Sequence, residues 1–319
     1  MADLPRALIV AGPTTSGKSA LALAIAQHAG GTIINTDSMQ VYRELRVLTA
    51  RPTPEEEKLV PHRLYGIRPA AEAGSVAWWQ ETALAAMEEA RAAGCLPILT
   101  GGSGMYFASL TGGLADIPDP GTEARAEARR LLAEQGPAAL HASLAKVDPA
   151  TAARLKPEDS QRIARAWEVW RGTGRGLAAW QTKRSPPAPW RFAAILLDPP
   201  RDALRAAIAT RFDAMVRQGA IDEVRALLAL DLDPALPAMR AHGVPELSAY
   251  LRSELSLQEA GRRTELVTGQ YTKRQATWFR HHVLAPQTRM NKINARFTDM
   301  AQFSQSEWSV LLTFIENVA

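Results

Sequence analysis

Short apolar runs alternate with stretches of helical periodicity along the first hundred residues. RALIVAG (6–12), GTIINTDS (31–38) and CLPILTGGSG (95–104) have the length and near-continuous apolar character of strands buried on both faces. Between them, SALALAIAQHA (19–29) and the stretch from Trp78 to Gly94 repeat apolar residues at helical spacing, the first closing near Gly30-Gly31. Strands alternating with helices predict a parallel α/β sheet. After Thr111 the rhythm changes. GGLADIPDPGT (112–122) is a Gly/Pro-rich connection, and 123–172 reads as helical and rich in Ala and Arg. RSPPAPW (184–190) marks the return and RFAAILLD (191–198) restores a strand. Residues 202–219, 220–230, 244–251 and 256–282 then read as helices.

The division expected from this pattern is 1–115 as the first part of an α/β core, 116–190 as a mainly helical insertion, 191–286 as the second part of the core, and 287–319 as a tail. Three of the four asparagines, Asn291, Asn294 and Asn317, fall in that tail while Ala and Arg thin out. On composition the tail is expected to lie outside the core and to have a different coding origin. No internal repeat of fixed period is present.

Composition narrows the class. With 319 residues, 46% apolar and 22% charged, the chain has enough material for one large or two ordinary folded domains. Its longest apolar runs are about six residues, against the roughly 20 of a membrane helix. The amino terminus has no basic segment leading into an apolar stretch and cleavage site, so a cytoplasmic, membrane-free protein is expected. The single cysteine, Cys95, excludes an intrachain disulfide and a Cys-based zinc cage, and reads as a buried strand residue. Net charge is +4, and thirty of the 37 basic residues are arginines. GC-rich coding or phosphate binding would each produce that bias. Between Arg262 and His282 five basic residues stand against Glu265, a local excess equal to that of the whole chain.

The most specific local signal is GPTTSGKS (12–19), which fits G-x-x-x-x-G-K-[ST] between a strand and a helix. Gly12 and Gly17 let the backbone curl through Pro13, Thr14, Thr15 and Ser16 so that successive amides face one anion. Lys18 would reach an outer phosphate and Ser19 a magnesium ion. On the loop alone, ATP or GTP is the first ligand to consider. DSMQVYR (37–43) starts at the C-terminal end of the second strand, the edge where parallel sheets bind ligands. From position alone Asp37 suits a general base, an indirect partner of magnesium, or a helix N-cap. GGSGMYF (101–107) brings Ser103 to the same edge, where a turn hydroxyl is the plain alternative.

In this order, GPTTSGKS, DSMQVYR, TARPT (49–53), GGSGMYF, DSQRIARAWEV (159–169) and YTKRQATWFR (271–280) resemble the bacterial tRNA dimethylallyltransferase family over about residues 5–285. The resemblance implies a P-loop NTPase-like parallel sheet flanked by helices with a helical insertion. It implies transfer of a dimethylallyl group from dimethylallyl diphosphate to the exocyclic amine of the adenosine just 3′ of the anticodon. The phosphate loop then holds a leaving diphosphate together with Mg2+ and need not bind ATP. Asp37 becomes the general base, Ser103 a hydroxyl at the reacting centre, Lys18 a catalytic cation, and Arg211 a diphosphate ligand. The implied tRNA contacts are Asp37, Ser38, Met39, Gln40, Ser103, Arg125, Gln161, Arg162, Ile163, Ala164, Arg165, Arg240, His242 and Gly243. The implied partner is a tRNA anticodon stem-loop, whose unpaired bases are easily extruded, and the enzyme is expected to be a monomer.

One block departs from the family pattern. In MRAHGVPEL (239–247), Val244 and Pro245 stand where an aromatic and a basic residue are usual, which removes a stacking surface and a phosphate contact. Tyr271, Trp278 and Phe279 lie among cations and suit either RNA contact or the core. Two other classes fit parts of the pattern: a P-loop small-molecule kinase using ATP, and a non-catalytic RNA-binding module.

Overall fold

The computed structural model describes residues 4–318. In chain order the elements are β1 (Arg6–Ala11), α1 (Lys18–Ala29), β2 (Gly31–Asn35), α2 (Pro54–Leu59), β3 (His62–Arg63), α3 (Val76–Ala92), β4 (Leu96–Gly101) and α4 (Gly104–Gly112). The helices α5 (Gly121–Val147), α6 (Pro149–Ala152), α7 (Ser160–Thr173) and α8 (Leu177–Trp180) follow. Then come β5 (Arg191–Leu197), α9 (Arg201–Arg217), α10 (Ala220–Leu228), α11 (Val244–Leu251), α12 (Leu257–His281), β6 (Met290–Ile293) and α13 (Gln305–Val318). Gly112–Pro187 forms one compact unit and the rest of the described chain another.

In the larger unit a six-stranded, all-parallel sheet runs in the order β3-β2-β4-β1-β5-β6. Strand parity explains why both faces are covered. Ala7, Ile9, Ala194, Leu196, Ile34 and Leu99 point into one core, while Leu8, Val10, Ala193, Ile195, Ile33 and Ile98 point into the other. Such strands have no polar face to turn to water, so helices must pack on each side. Ala11 pairs with Gly101 and with Leu196, and Asn35 pairs with Thr100, so the C-terminal ends of four strands are level. Everything chemical in the larger unit starts from that edge.

The tail belongs to the core, contrary to the expectation from composition. β6 pairs with β5, and Phe297, Leu311 and Ile315 are buried against Leu21, Ala22 and Ile25 of α1. Leu311 and Ile315, four residues apart on α13, present one apolar face, and burial of that face outweighs codon usage as a guide to membership. Cys95 also differs from its expected place: it stands half-buried in the turn before β4, not inside the strand.

The smaller unit is helical. Its long α5 kinks at Gly136, whose φ of 77° breaks the helix just before Pro137. Leu144, Ala152 and Ala166 form its centre, with Trp167 and Leu177 packed on them. Asp148 ties the unit together, accepting the Thr151 N–H at 3.2 Å and the Leu177 N–H at 3.0 Å.

Candidate active site

The phosphate loop follows β1 and ends at Gly17, which caps α1 in the left-handed region with φ 89° and leaves the helix without a side-chain cap. The first amides of α1 therefore stay open to an anion, as does the positive end of the helix. Ser16 Oγ is buried with no hydrogen-bond partner. A buried orphan hydroxyl inside such a loop fits a phosphate ligand, which would complete its bonding. The Thr14 N–H already has an acceptor, Gln275 Oε1 at 2.8 Å, and Gln275 Nε2 donates to the Gly102 carbonyl at 3.0 Å. Gln275 thus ties the phosphate loop to the β4 edge.

Lys18 is half-buried, and among the described residues its ammonium makes one hydrogen bond, a long one of 3.4 Å to the Pro13 carbonyl. Burial lowers its pKa to about 8; Asp37 opposes that shift and Arg211 adds to it. Arg211, from α9, is lowered as well, first by burial and against the pull of Asp37. Neither cation makes an ion pair among the described residues, although each interacts electrostatically with Asp37.

Asn35 at the end of β2 shapes the turn that carries Asp37. Its amide donates to the carbonyls of Asp37 and Leu64, both at 3.0 Å, while its Oδ1 accepts the Asp37 N–H at 2.8 Å. Asp37 Oδ1 accepts the Met39 N–H at 2.9 Å, which fixes the carboxylate and leaves its second oxygen free of hydrogen bonds among the described residues. Ser103 Oγ accepts the Ser38 N–H at 2.9 Å, so Asp37 and Ser103 are brought together by the backbone between them.

Tyr271, Gln275 and Tyr65 also approach this site; the first two lie in the YTKRQATWFR block, which the sequence assigned to RNA contact or the core and not to the reacting centre, and Tyr65 lies in none of the quoted blocks. The Tyr271 hydroxyl lies near Ser103 and Gln275, and its pKa is pushed up to about 12 by burial and by Asp37. Burial and Asp37 also raise Tyr65. Tyr271 and Gln275 sit four apart on α12, on the face that also buries Phe279. A glutamine on a core-facing stripe is the signal that could have found it. Gly102 and Gly104 admit this helix: a methyl at the first would stand 2.1 Å from Gln275 Nε2, and at the second 2.2 Å from the Trp278 indole. Phe279 packs on Phe107 in the core, and Trp278 stacks on His282. Among the described residues no group of His, Cys, Asp and Glu could hold a metal by itself.

The residues for which the family resemblance implies tRNA contact fall into two sets. In the larger unit, the Gln40 side chain donates to the carbonyls of Thr49 and Ala50, both at 2.9 Å, and so holds the TARPT turn. The same loop is gripped by Glu223, whose carboxylate accepts the N–H groups of Arg46, Val47 and Leu48 at 2.6 to 2.9 Å. His242 meets Tyr271 edge-on at 5.1 Å, and burial, with Arg274 nearby, lowers its pKa. Arg240 is exposed. Gly243 is buried and its N–H goes to Glu246, so it serves as the cap of α11; Val244 lies in the core. In the smaller unit, Gln161 and Arg162 are exposed and Arg165 half-exposed on α7. Ile163 and Ala164 are buried, so any RNA contact there falls to the backbone. Arg125 pairs with Asp119 at 2.8 Å.

Comparison with known proteins adds to this geometry. Residues 40–282 match the IPP transferase family. The chain is 61% identical over 311 residues to the tRNA dimethylallyltransferase of Granulibacter bethesdensis, covering 97% of this chain and 98% of that one. It is 62% identical over 309 residues to the tRNA dimethylallyltransferase of Gluconacetobacter diazotrophicus, covering 97% and 93%. An alignment covering 97% of this chain leaves too few residues outside it for the whole tail to be foreign. Among solved structures, the full-length tRNA isopentenylpyrophosphate transferase of Bacillus halodurans superposes with a TM-score of 0.68 at 30% identity over 98% of this chain and 97% of that one. A eukaryotic dimethylallyltransferase acting on tRNA shares the fold, with a TM-score of 0.80 at 24% identity over 99% of this chain and 80% of that one.

Proposed function

The chain belongs to the IPP transferase family and is a transferase of the kind that places dimethylallyl groups on tRNA, and from that premise we propose how its own residues carry the transfer. The donor is dimethylallyl diphosphate, and the acceptor is the exocyclic amine of the adenosine just 3′ of the anticodon. The amine nitrogen attacks the first carbon of the dimethylallyl group. A C–N bond forms as the C–O bond breaks, the bonding electron pair leaves on the diphosphate oxygen, and the N–H proton passes to Asp37.

Each step has a local reason. An adenine amine is a weak nucleophile because its lone pair is delocalised, so a base near the attacking nitrogen lowers the barrier. Asp37 suits that role, since one oxygen is held by the Met39 N–H and the other is left to receive a proton. Ser103, bonded to Ser38 and close to Tyr271, supports the acceptor side. Charge developing on the leaving diphosphate is absorbed by Lys18, Arg211 and the open amides at the start of α1. Mg2+ fits as an ion carried by the diphosphate, with the exposed Ser19 hydroxyl as its protein ligand, since magnesium keeps waters and phosphate oxygens around it; when bound it would add charge neutralisation. No helix among the described residues is long and apolar enough to cross a membrane. We take the enzyme to act on the anticodon stem-loop as a cytoplasmic monomer.

The observation that carries this reading is the pair of cations, Lys18 and Arg211, each interacting electrostatically with Asp37 and neither in an ion pair among the described residues. Mass spectrometry of tRNA incubated with the protein, Mg2+ and dimethylallyl diphosphate tests it. One dimethylallyl group gained per tRNA, on the adenosine 3′ of the anticodon, is expected. An unmodified tRNA, or ATP consumed on a small acceptor without the isoprenoid donor, would overturn it.

A further inference from the structure

The phosphate loop is held from outside by a segment no local motif marks. Phe297 N–H donates to the Ser16 carbonyl at 2.9 Å, and Arg296 Nε donates to the Thr15 carbonyl at 2.8 Å. The Phe297 carbonyl lies so close to Gly17 that a methyl added there would stand 1.9 Å from it. The segment is itself anchored. Ile293 pairs with Leu197, Lys292 meets Asp198 at 2.6 Å, and Phe297 is buried in the core beside α1.

Peptide geometry gives these contacts a consequence. In a trans peptide the C=O and the following N–H point to opposite sides. Pinning the carbonyls of Thr15 and Ser16 to residues 296–297 therefore turns the N–H groups of Ser16 and Gly17 away from them. The Ser16 N–H closes the loop's own turn on the Pro13 carbonyl at 3.2 Å, and the Gly17 N–H has no acceptor among the described residues. Thr15 holds a φ of 66°, unfavourable for a β-branched residue. Such a conformation persists where surrounding contacts over-determine it, and the two strap bonds do so here.

We infer that residues 295–297 are a strap that keeps the phosphate loop in its anion-binding form, with Arg296 as a positioning residue for the diphosphate. The inference rests on the diphosphate reading above. Arg296 touches the backbone of the loop, not the ligand, so its effect falls on donor affinity and not on the tRNA side.

The test compares full-length wild type with Arg296→Ala, Arg296→Lys and Trp308→Ala. Trp308 lies in the same tail but packs on His28 and Phe303, so its loss lowers stability without cutting the loop contacts. KM for dimethylallyl diphosphate, the inhibition constant of inorganic diphosphate and KM for tRNA are measured, with Tm for each protein. Arg296→Ala should raise the first two roughly tenfold, the equivalent of one hydrogen bond to a charged group, and leave KM for tRNA unchanged. Arg296→Lys should recover part of the loss, and Trp308→Ala should lower Tm while keeping donor KM. Wild-type kinetics in Arg296→Ala, donor and tRNA KM rising together, or the same donor defect in Trp308→Ala would each overturn the strap. Wild type insensitive to inorganic diphosphate would instead overturn the diphosphate reading, and the strap with it.

Discussion

Lys18 and Arg211 of the site and five arginines of the smaller helical unit are held in opposite ways. In the helical unit, Arg125, Arg130, Arg162, Arg165 and Arg171 each meet a carboxylate, at distances from 2.8 to 3.4 Å. Lys18 and Arg211 meet none among the described residues. An exposed ion pair is worth about 0 to 1 kcal/mol, so its arginine can exchange a carboxylate for an RNA phosphate at little cost. A half-buried cation without a partner has already lost water and gains most when an anion arrives. On the function proposed above, the first arrangement suits broad, salt-sensitive binding, and the second suits a preorganised site for one small anion. Charge count along the sequence does not separate them. Partnership does.

The cleft is where this contrast is most easily undone. Asp37→Asn keeps the shape of the turn but removes the base, and turnover should fall about 10² to 10⁴-fold with little change in diphosphate affinity; single-turnover assays at saturating donor check this, and an unchanged rate would remove Asp37 from the chemistry. Lys18→Ala should cost about 10² to 10³ in turnover, the scale for losing one preorganised group at a developing charge. The pH dependence bears on the same cation. With its pKa near 8, Lys18 is protonated in the free enzyme below that pH and neutral above it. Binding of diphosphate above pH 8 must then recruit a proton, so affinity should weaken by up to about tenfold per pH unit. Calorimetric titrations across roughly pH 7 to 9.5 should show this fall in wild type and a flatter profile in Lys18→Ala. The smallest effect belongs to the helical unit. Replacing Arg162 and Arg165 with Ala should raise tRNA KM a few-fold and lower the salt slope by about 1 to 2, and an unaltered slope would take these residues off the RNA surface.

Four strands of the sheet were legible because strands buried on both faces are apolar runs, and RALIVAG, GTIIN, LPILTG and RFAAILL all became strands. The edge strands were not. His62–Arg63 and MNKI are too short and polar to carry a pattern, and they are defined only by the neighbours they pair with. The tail was misjudged for a related reason, since composition records coding history while Phe297, Leu311 and Ile315 record burial. In the site, the phosphate loop, Asp37 and Ser103 could be placed because each sits directly after a strand. Arg296 could not, and the YTKRQATWFR block carried Tyr271 and Gln275 without their place in the site, because Gln275 reaches Thr14 across 261 positions and Arg296 reaches Thr15 across 281. Local periodicity says nothing about contacts at that separation.

If the loop from Gly12 to Ser19 holds a departing diphosphate beside the Asp37 carboxylate, a crystal structure of the protein soaked with dimethylallyl diphosphate and Mg2+ will show it. The expected result is diphosphate density inside the loop, bonded to Lys18 and Arg211, with the dimethylallyl group directed toward Asp37. A donor bound elsewhere, with the loop empty and Asp37 turned from it, would refute that assignment.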